Sequence, residues 1–513
     1  MICVTLGRTR HRMMVEEHRS LAERGAQLVE LRLDWLRNLP DLSRLLAQRP
    51  TPVIVTCRRP DDGGRWHGSE EQRRILLRQA IAEGVEYVDL EEDLAGSIKR
   101  FGQTRRIISH HDFAETPEDL QAIHERLRKL DPDIIKIVTM ARTPADNVAL
   151  LKLVAESEIP TIGFCMGDLG LTSRVLCGKY GSPFTYTTFS EDREMAPGQI
   201  EFETMRDLYR FEEIDADTRV FGVLGDPIGH SFSPQIHNAA FAKERLNAVY
   251  LPFRVPAETL DDTLHAYSAI DIQGYSVTIP HKEAVVGFAT YMDDAVKSIH
   301  AANTLYKDER GRWYAANTDY EAALATLKSG LADKGDERLA GLKVLLLGAG
   351  GVSRAIGLAV CRAGAAVTVT NRNRDRGLAL AEELDCQFIN WENRGSVFVD
   401  VLINCTPVGM YPEMNHTPYP EHWLREGMLV FDTIYNPENT LLIKQAKSRG
   451  CTTVSGLDMF LRQAGAQFQC FVQRPPPLDV MHSALRQAMS PVKLTLDDAD
   501  NVGAINFRCE FLH

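Results

Sequence analysis

The first two hundred residues alternate between short apolar runs and amphipathic segments. Segments with helical periodicity separate the runs, for example SEEQRRILLRQAIAEG, which a capping-type serine introduces, and TPEDLQAIHERLRKL. Eight strand candidates alternating with helix candidates predict a (β/α)8 TIM barrel rather than an open sheet. The runs begin at positions 2, 28, 53, 87, 106, 134, 161 and 184, as ICVTLG, LVELRLDW, VIVTC, YVDLEE, RIISHHDF, IIKIVTM, TIGFCMG and FTYTTF.

Polar residues fall at the predicted carboxyl ends of these strands, where the active site of such a barrel forms. Lys136 interrupts the apolar run DIIKIV, although lysine is rarely buried unless something compensates for its lost hydration. Taken alone, Lys136 fits an edge position or a salt bridge, whereas a desolvated lysine that is partly neutral can attack a carbonyl and form a Schiff base. Salt bridges can explain one or two polar residues at the carboxyl ends of the strands but not the whole set. The set therefore favours an active site at this end of the barrel. The set is Glu30, Arg32, Arg58, His111, Lys136 and Arg174.

Bulk properties limit the class of protein. At 513 residues the chain exceeds one core of ordinary size, and two or more domains are expected. A formal net charge of -12 argues against a general binder of nucleic-acid phosphates, although a local anion pocket remains compatible with it. The ten cysteines include no CxxC, which predicts a reduced, cytoplasmic chain without a metal site. No segment predicts export or membrane insertion.

The second half contains a glycine-rich turn between a strand and a helix. In KVLLLGAGGVSRAIGLAVCRAG, an apolar strand leads into Gly348, Ala349, Gly350 and Gly351 and then into a helix. Glycines let the backbone approach a pyrophosphate, and a helix N-terminus favours its charge. Ser353 stands where a strict GxGxxG has its last glycine, and turns of this kind also occur for packing alone.

The residues after the next strand, AVTVT, indicate the cofactor. Sites that prefer NAD usually place an acidic residue at this point, whereas this chain continues NRNRDR. Asn371 and Arg372 suit a 2′-phosphate, while Arg374 and Arg376 fit a solvated charged surface equally well. The sequence therefore predicts NADP as the cofactor.

The first half resembles the type I 3-dehydroquinate dehydratases over roughly residues 1–210. The ordered motifs are ELRLD, TCR with DGG, SHHDF, DIIKI, SR and APGQ. The resemblance implies that Lys136 forms an imine with the substrate ketone and that His111 removes a proton and then protonates the departing hydroxyl. It implies that Arg174 pairs with the substrate carboxylate. The residues implied to hold the ring hydroxyls and the carboxylate are Glu30, Arg32, Arg58 and Gln199.

Two residues depart from this family pattern. Asp62 precedes the double glycine where the family usually has a glutamate that orients the catalytic histidine, so the reach of the carboxylate is shorter. Met195 precedes APGQ where a serine is usual, so one hydrogen bond to substrate is expected to be missing or to be made elsewhere. Because neighbouring strand residues point to opposite faces, only one of His110 and His111 can face the mouth, and the motif assigns that place to His111.

The second half resembles shikimate dehydrogenase over roughly residues 219–489, after the polar stretch FEEIDADTR. The ordered motifs are GHSFSP, GYSVTIPHK, AANTLY, NTDYEA, NCTPVGM, FDTIYNP and SGLDMFLRQAGAQF. The resemblance implies that Lys282 and Asp319 form the catalytic pair, in which the ammonium gives a proton to the alkoxide. Ser276 stands where asparagine is common. The implied substrate residues are Ser231, Ser233, Thr278, Asn303, Tyr435 and Gln463, and the implied cofactor residues are Gly348, Ala349, Gly350, Gly351, Asn371, Arg372, Thr406 and Gly456.

The domains are predicted at 1–210 for the barrel and 219–489 for the dehydrogenase, with residues 490–513 as a tail without an assigned role. Within the dehydrogenase, residues 219–320 and about 455–489 are assigned to the substrate-binding part and about 321–454 to a Rossmann NADP-binding part. Together the halves predict a bifunctional shikimate-pathway enzyme whose partners are its small-molecule substrates, without nucleic acid or membrane. Two alternatives stay open. The reductase half could act on quinate and 3-dehydroquinate, although the paired serines favour shikimate, or one half could have decayed into a scaffold.

Overall fold

A computed structural model describes residues 1–229, 231–332 and 337–490 of the chain. The predicted tail lies, from residue 491 onward, outside the described residues. The chain divides into two compact units: unit 1 contains Met1–Pro234 and Arg245–Gln273, and unit 2 contains Gln235–Glu244 and the chain from Gly274. The domain boundaries given above stay predictions.

Unit 1 contains the barrel. Its strands pair in parallel in the order β7-β6-β5-β4-β3-β2-β1-β8, so the prediction of a (β/α)8 fold is confirmed and each of the eight apolar runs contains a strand. The strands are β1 (Ile2–Leu6), β2 (Leu28–Arg32), β3 (Val53–Thr56), β4 (Tyr87–Glu91), β5 (Arg105–Asp112), β6 (Ile134–Met140), β7 (Thr161–Met166) and β8 (Thr185–Thr188). The helices between them are α1 (His11–Glu23), α2 (Leu42–Leu46), α3 (Glu70–Ala82), α4 (Glu92–Ala95), α5 (Leu120–Arg128), α6 (Pro144–Glu156) and α7 (Leu171–Leu176).

Local sequence fixes where these elements begin and which face they bury. Helix α3 starts after Ser69, whose hydroxyl accepts a hydrogen bond from the Gln72 amide while the Gln72 side chain accepts one from the Ser69 amide. This reciprocal capping satisfies two amides that have no partner inside the helix. An apolar cluster that includes Cys3, Leu28 and Ile54 fills the barrel. The cluster supports the strand ends where the polar residues lie.

After the barrel the chain forms β9 (Arg219–Gly225), α8 (Ser233–Lys243), β10 (Ala248–Arg254) and α9 (Leu260–Tyr267). Strands β9 and β10 pair in parallel within unit 1. In unit 2, β13 pairs in antiparallel fashion with both β11 and β14, and β12 pairs in parallel with β14. In chain order these elements are β11 (Ile272–Val277, in unit 2 from Gly274), β12 (Tyr291–Met292), α10 (Asp294–Ile299), β13 (Thr304–Lys307), β14 (Trp313–Ala316) and α11 (Thr318–Ala332).

The rest of unit 2 is a parallel sheet in the order β17-β16-β15-β18-β19-β20. The order reverses between β15 and β18, the position where open α/β sheets bind ligands. The Rossmann prediction is confirmed. Its elements are β15 (Lys343–Leu347), α12 (Gly351–Arg362), β16 (Ala366–Thr370), α13 (Arg374–Glu383), β17 (Gln387–Phe388), β18 (Val401–Asn404), β19 (Leu429–Asp432), α14 (Leu441–Ser448), β20 (Thr452–Ser455), α15 (Gly456–Val472) and α16 (Leu478–Met489). Among the helices of the described segments, none is both long enough and apolar enough to cross a bilayer.

Candidate active sites

The barrel holds a cavity whose walls contain every residue predicted for the dehydratase site. The strands place these side chains together because parallel strands in a barrel bring their carboxyl ends to one rim. Phe113, Tyr186 and Met195 also contribute to the walls. The predicted residues in the walls are Glu30, Arg32, Arg58, Asp62, His111, Lys136, Arg174 and Gln199.

Lys136 lies on β6 and is 4% exposed. Its Nζ is 3.0 Å from Asp89 Oδ2 and 3.9 Å from Glu30 Oε1. The same Nζ lies 3.9 Å from the centre of the Tyr186 ring, in cation–π geometry. Carboxylates and an aromatic face therefore compensate for the lost hydration of the ammonium, which explains how a lysine is accommodated in an apolar strand.

His111 lies at the end of β5, and its ring stacks on Phe113. Its Nδ1 is 3.0 Å from Arg58 Nη1. A guanidinium can only donate, so Nδ1 accepts and the proton of the neutral imidazole is on Nε2. Burial, reinforced by the positive charges of Arg58 and Lys136, holds the pKa of His111 well below its usual range. The imidazole is therefore neutral near pH 7.

The two departures from the family pattern have structural consequences. Asp62 lines the cavity, but its carboxylate accepts a hydrogen bond from Arg59 Nε at 2.5 Å. Asp62 is therefore held by a guanidinium in the described state, whereas the partner of His111 is Arg58. The backbone N–H of Met195 donates to Gln199 Oε1 at 2.9 Å. This hydrogen bond holds the Gln199 side chain in the cavity wall.

Arg174 on α7 is 1% exposed, and its Nη1 donates to the Tyr186 carbonyl at 3.3 Å. Its guanidinium lies 4.4 Å from the centre of the Phe164 ring. Nε and Nη2 have no hydrogen-bond partner among the described residues, and burial lowers the pKa of Arg174 to about 10. A buried guanidinium with two unused donors is suited to bind an anion.

Sequence reasoning missed the two acidic residues of β4. Asp89 and Glu91 are buried, and both contact Arg58. Glu91 also pairs with Arg73, which is fully buried. The available signal was the run YVDLEE, in which two carboxylates two residues apart in a strand must point to the same face.

In unit 2, Lys282 Nζ donates to Asp319 Oδ2 at 2.6 Å, and both side chains are largely buried. Lys282 also lies against the nucleotide turn, because a Cβ added to Gly351 would be 3.2 Å from Lys282 Cδ. The ammonium predicted to transfer a proton therefore lies beside the backbone predicted to bind the cofactor.

Asn303 is the centre of a buried polar network. Its Nδ2 donates to Thr318 Oγ1 at 2.9 Å and to Gln463 Oε1 at 3.4 Å. The Ser276 hydroxyl donates to Gln467 Oε1 at 2.7 Å, and the side-chain Nε2 of Gln467 donates to the Asn303 carbonyl at 2.9 Å. The serine that departs from the family pattern therefore supports the backbone of Asn303 through Gln467.

The other predicted substrate residues are in different surroundings. Tyr435 stacks on Phe460 with ring centres 4.2 Å apart, and burial raises its pKa. Thr278 follows β11 and is half-buried. Ser231 and Ser233 belong to unit 1, where the Ser233 amide donates to Ser231 Oγ at 3.3 Å.

The nucleotide turn has a backbone conformation that favours glycine and leaves space beside the backbone. Gly348 has φ +114°, a conformation that favours glycine, and Gly350 has open space where a Cβ would be. Ala349 is buried. Ser353 occupies the sixth position of the motif, and its hydroxyl accepts from the Gly350 amide at 3.2 Å. The serine therefore stabilises the turn.

The remaining cofactor candidates divide into exposed and packed positions. Arg372 is exposed just after β16, while Asn371 beside it donates to the Asn373 carbonyl at 2.8 Å. Thr406 donates to Asn404 Oδ1 at 2.7 Å. Gly456 is explained by packing, since a Cβ there would be 2.3 Å from the Thr433 carbonyl oxygen. The exposed guanidinium and the open turn fit a phosphorylated dinucleotide.

Comparison with known proteins assigns the two halves of the chain to two enzyme families. The type I 3-dehydroquinase family model matches residues 2–216. The shikimate dehydrogenase substrate binding domain matches residues 223–305, shikimate / quinate 5-dehydrogenase matches 330–407, and the shikimate 5′-dehydrogenase C-terminal domain matches 456–486.

Individual relatives cover either most of the chain or about half of it. A chloroplastic bifunctional 3-dehydroquinate dehydratase/shikimate dehydrogenase of Arabidopsis thaliana is 36% identical over 490 residues, covering 91% of this chain and 81% of the relative. An NADP(+) shikimate dehydrogenase of Caldanaerobacter subterraneus is 35% identical over 54% of this chain and 100% of its own length. A crystal structure of a shikimate dehydrogenase in complex with NADP+ is 33% identical, with a TM-score of 0.50, and covers 54% of this chain and 97% of its own. The chain belongs to the family of bifunctional 3-dehydroquinate dehydratase/shikimate dehydrogenases.

Proposed function

We propose that the chain dehydrates 3-dehydroquinate to 3-dehydroshikimate in its barrel and reduces that product to shikimate with NADPH in its second half. The observation that carries this proposal is the barrel cavity, which brings the buried amine of Lys136, a neutral imidazole and the guanidinium of Arg174 together. These are the nucleophile, the proton carrier and the carboxylate partner that the elimination of water from a keto acid requires.

In the proposed dehydration, the unprotonated Nζ of Lys136 attacks the ketone carbon. The carbonyl oxygen takes up protons and leaves as water, so that a protonated C=N bond remains. This iminium accepts the electron pair released when a proton is removed from the neighbouring carbon, and the electrons then expel the ring hydroxyl, which takes a proton and leaves as water. Hydrolysis returns the amine and the product ketone.

His111 is proposed to move these protons. With Nδ1 accepting from Arg58, the imidazole carries its proton on Nε2 and can donate it. To act first as a base, it needs a free ring nitrogen, and Nδ1 becomes free when the hydrogen bond from Arg58 Nη1 is broken while Arg58 Nη2 stays on Asp89. Arg58 is one of the predicted substrate residues, so substrate binding and activation of the base are coupled in this proposal.

The substrate carboxylate is proposed to bind the free Nε and Nη2 of Arg174, because two parallel N–H donors match two carboxylate oxygens. Glu30, Arg32 and Gln199 line the same cavity and provide acceptors and donors for the ring hydroxyls. The carboxylate would fix the ring so that its ketone faces Lys136.

In the proposed reduction, Lys282 gives a proton to the substrate oxygen, and Asp319 holds the ammonium through the 2.6 Å hydrogen bond. When bound, NADPH supplies the hydride for the ketone carbon. Asn303, Tyr435, Gln463 and Thr278 are proposed to hold the ring. Ser231 and Ser233 stay predictions for the substrate carboxylate. The nucleotide turn and Arg372 are proposed to hold the cofactor, together with Asn371, Thr406 and Gly456.

The deciding experiment is the mass of the product from 3-dehydroquinate plus NADPH, since shikimate and quinate differ by the elements of water. Shikimate supports both proposed steps, and quinate would mean that the reductase takes the unprocessed ketone. Borohydride with 3-dehydroquinate should give a covalent adduct that Lys136→Ala abolishes. Lys152→Ala, which removes an exposed lysine of the same barrel, should retain the adduct.

A further inference from the structure

We infer that Asp89 is the fixed counter-ion of Lys136, which orients Nζ for attack and stabilises the iminium that forms there. The inference rests on the proposed dehydration and extends it to a residue outside the predicted site. Asp89 does not need to touch the substrate for this purpose, because its contact is with the reacting nitrogen.

Three donors from different parts of the barrel hold the Asp89 carboxylate. Its Oδ2 accepts from Lys136 Nζ on β6 at 3.0 Å. Its Oδ1 accepts from Ser109 Oγ on β5 at 2.6 Å and lies 3.0 Å from Arg58 Nη2, just after β3. The side chain of Asp89 has no exposed surface. The carboxylate is therefore fixed in position, and so is the direction from which it attracts Nζ.

The neighbours of Asp89 keep it charged. Burial by itself would raise the pKa of Asp89, but the positive charges of Arg58 and Lys136 outweigh burial and lower that pKa. The carboxylate is therefore an anion near neutral pH. A buried anion beside the amine acts through a low dielectric, where its effect is larger than in water.

The other titratable groups near Nζ come from four strands. Burial raises the pKa of both Cys3 on β1 and Tyr186 on β8 well above their usual values. Burial and the neighbouring cations keep His111 on β5 neutral. Glu30 on β2 accepts from Thr56 and lies farther from Nζ than Asp89 does. The direct ion pair between Asp89 and Nζ is therefore the contact that the variants below probe.

The charge at Nζ gives Asp89 its role. Ammonium plus ketone becomes iminium plus water, and the nitrogen carries one positive charge at both ends of this step. Only the free amine and the carbinolamine between them are neutral. A fixed anion therefore favours ammonium over amine before attack and iminium over carbinolamine afterwards. Removing it should make the amine available at lower pH and make the iminium less stable.

The test compares Asp89→Asn with Glu91→Gln in the full-length protein. Both changes remove one buried carboxylate of β4, but Glu91 contacts Arg58 and Arg73 rather than Nζ. Asp89→Asn should slow borohydride trapping of the 3-dehydroquinate adduct by about 10²-fold, the effect of removing one preorganised electrostatic partner. It should also move the acid limb of kcat/KM down by about one to three pH units, as expected for losing an opposite charge within 4 to 6 Å. Glu91→Gln should leave the limb in place.

Hydrogen exchange of barrel peptides from the same preparations checks that the barrel has folded, because a chain of two units need not unfold in one step. Ser109→Ala removes one donor that orients Asp89 but keeps its charge, so it should slow trapping by less than Asp89→Asn does and should not move the acid limb down. It serves if Asp89→Asn does not fold. If the acid limb of kcat/KM stays in place in Asp89→Asn, or moves by the same amount in Glu91→Gln, the counter-ion role is overturned. Failure of the wild-type protein to be trapped would instead refute the proposed dehydration itself.

Discussion

Arg174 combines high burial with unused hydrogen-bonding capacity, so its removal should separate stability from function. We expect Arg174→Met to stabilise the substrate-free barrel and to disable dehydration. The lowering of its pKa from 12.5 to about 10 corresponds to about 3 kcal/mol at roughly 1.36 kcal/mol per unit. Against this, the variant loses one hydrogen bond to the Tyr186 carbonyl and a contact with the Phe164 ring, worth about 1 kcal/mol each. Methionine is flexible and fills much of the vacated volume. The expected net gain is about 1 kcal/mol.

The functional effect should have the opposite sign. Removing one partner of a buried charge pair typically costs about 2–5 kcal/mol of interaction. The kcat/KM of dehydration should therefore fall about 10²- to 10³-fold, while reduction of 3-dehydroshikimate by the same chain should be unchanged. Addition of 3-dehydroquinate should stabilise the wild-type barrel and not the variant.

Hydrogen exchange of peptides from β7 and β8 measures the free energy of opening in the barrel alone, which is needed because a chain of two units need not unfold in one step. Arg126→Met is the matched control, since Arg126 is an exposed arginine of α5 that pairs with Glu92; it should change stability by less than about 0.5 kcal/mol. A loss of stability in Arg174→Met, or an unchanged kcat/KM, would refute the idea that Arg174 is buried without a charged partner in order to bind an anion.

Three further changes test unit 2. Lys282→Met should lower kcat for reduction by about 10²- to 10⁴-fold and leave dehydration intact, and steady-state assays of the two half-reactions would reveal any other pattern. Arg372→Ala should raise KM for NADPH about tenfold or more with little change for NADH, because only NADPH carries the 2′-phosphate; equal effects on both cofactors would contradict the assignment. Burial raises the pKa of Asp432 from 3.8 to about 6 despite hydrogen bonds from Thr440, the Ile434 amide and Asn404. The folded state therefore binds this proton more tightly than the unfolded state, and its contribution to stability falls as pH rises from about 4 to about 6. Asp432→Asn should stabilise unit 2 relative to wild type, and this gain should be larger at pH 8 than at pH 4 by up to about 3 kcal/mol. Hydrogen exchange measures the free energy of opening of unit 2 in both proteins. A difference between them that does not vary with pH would exclude this role of Asp432.

Much of the fold is predictable because it depends on local periodicity. The eight apolar runs are all strands in the parallel barrel, and Ser69 caps α3 as its sequence predicts. The nucleotide turn is equally local, since Gly348 has the positive φ that a glycine permits. Residues at the ends of parallel strands converge by geometry, so the cavity could be predicted as a set of side chains without knowing their contacts.

The sequence alone therefore determined which elements form and which polar residues meet at the barrel mouth. Tertiary structure decided how those residues pair. Asp89 contacts Lys136 across 47 positions, Arg58 contacts His111 across 53, and Ser276 reaches Gln467 across 191. Asp62 pairs with Arg59 instead of the imidazole. Such pairings depend on strand register and on which buried charges must neutralise each other, and these follow from the packed arrangement of distant segments rather than from the order of neighbouring residues.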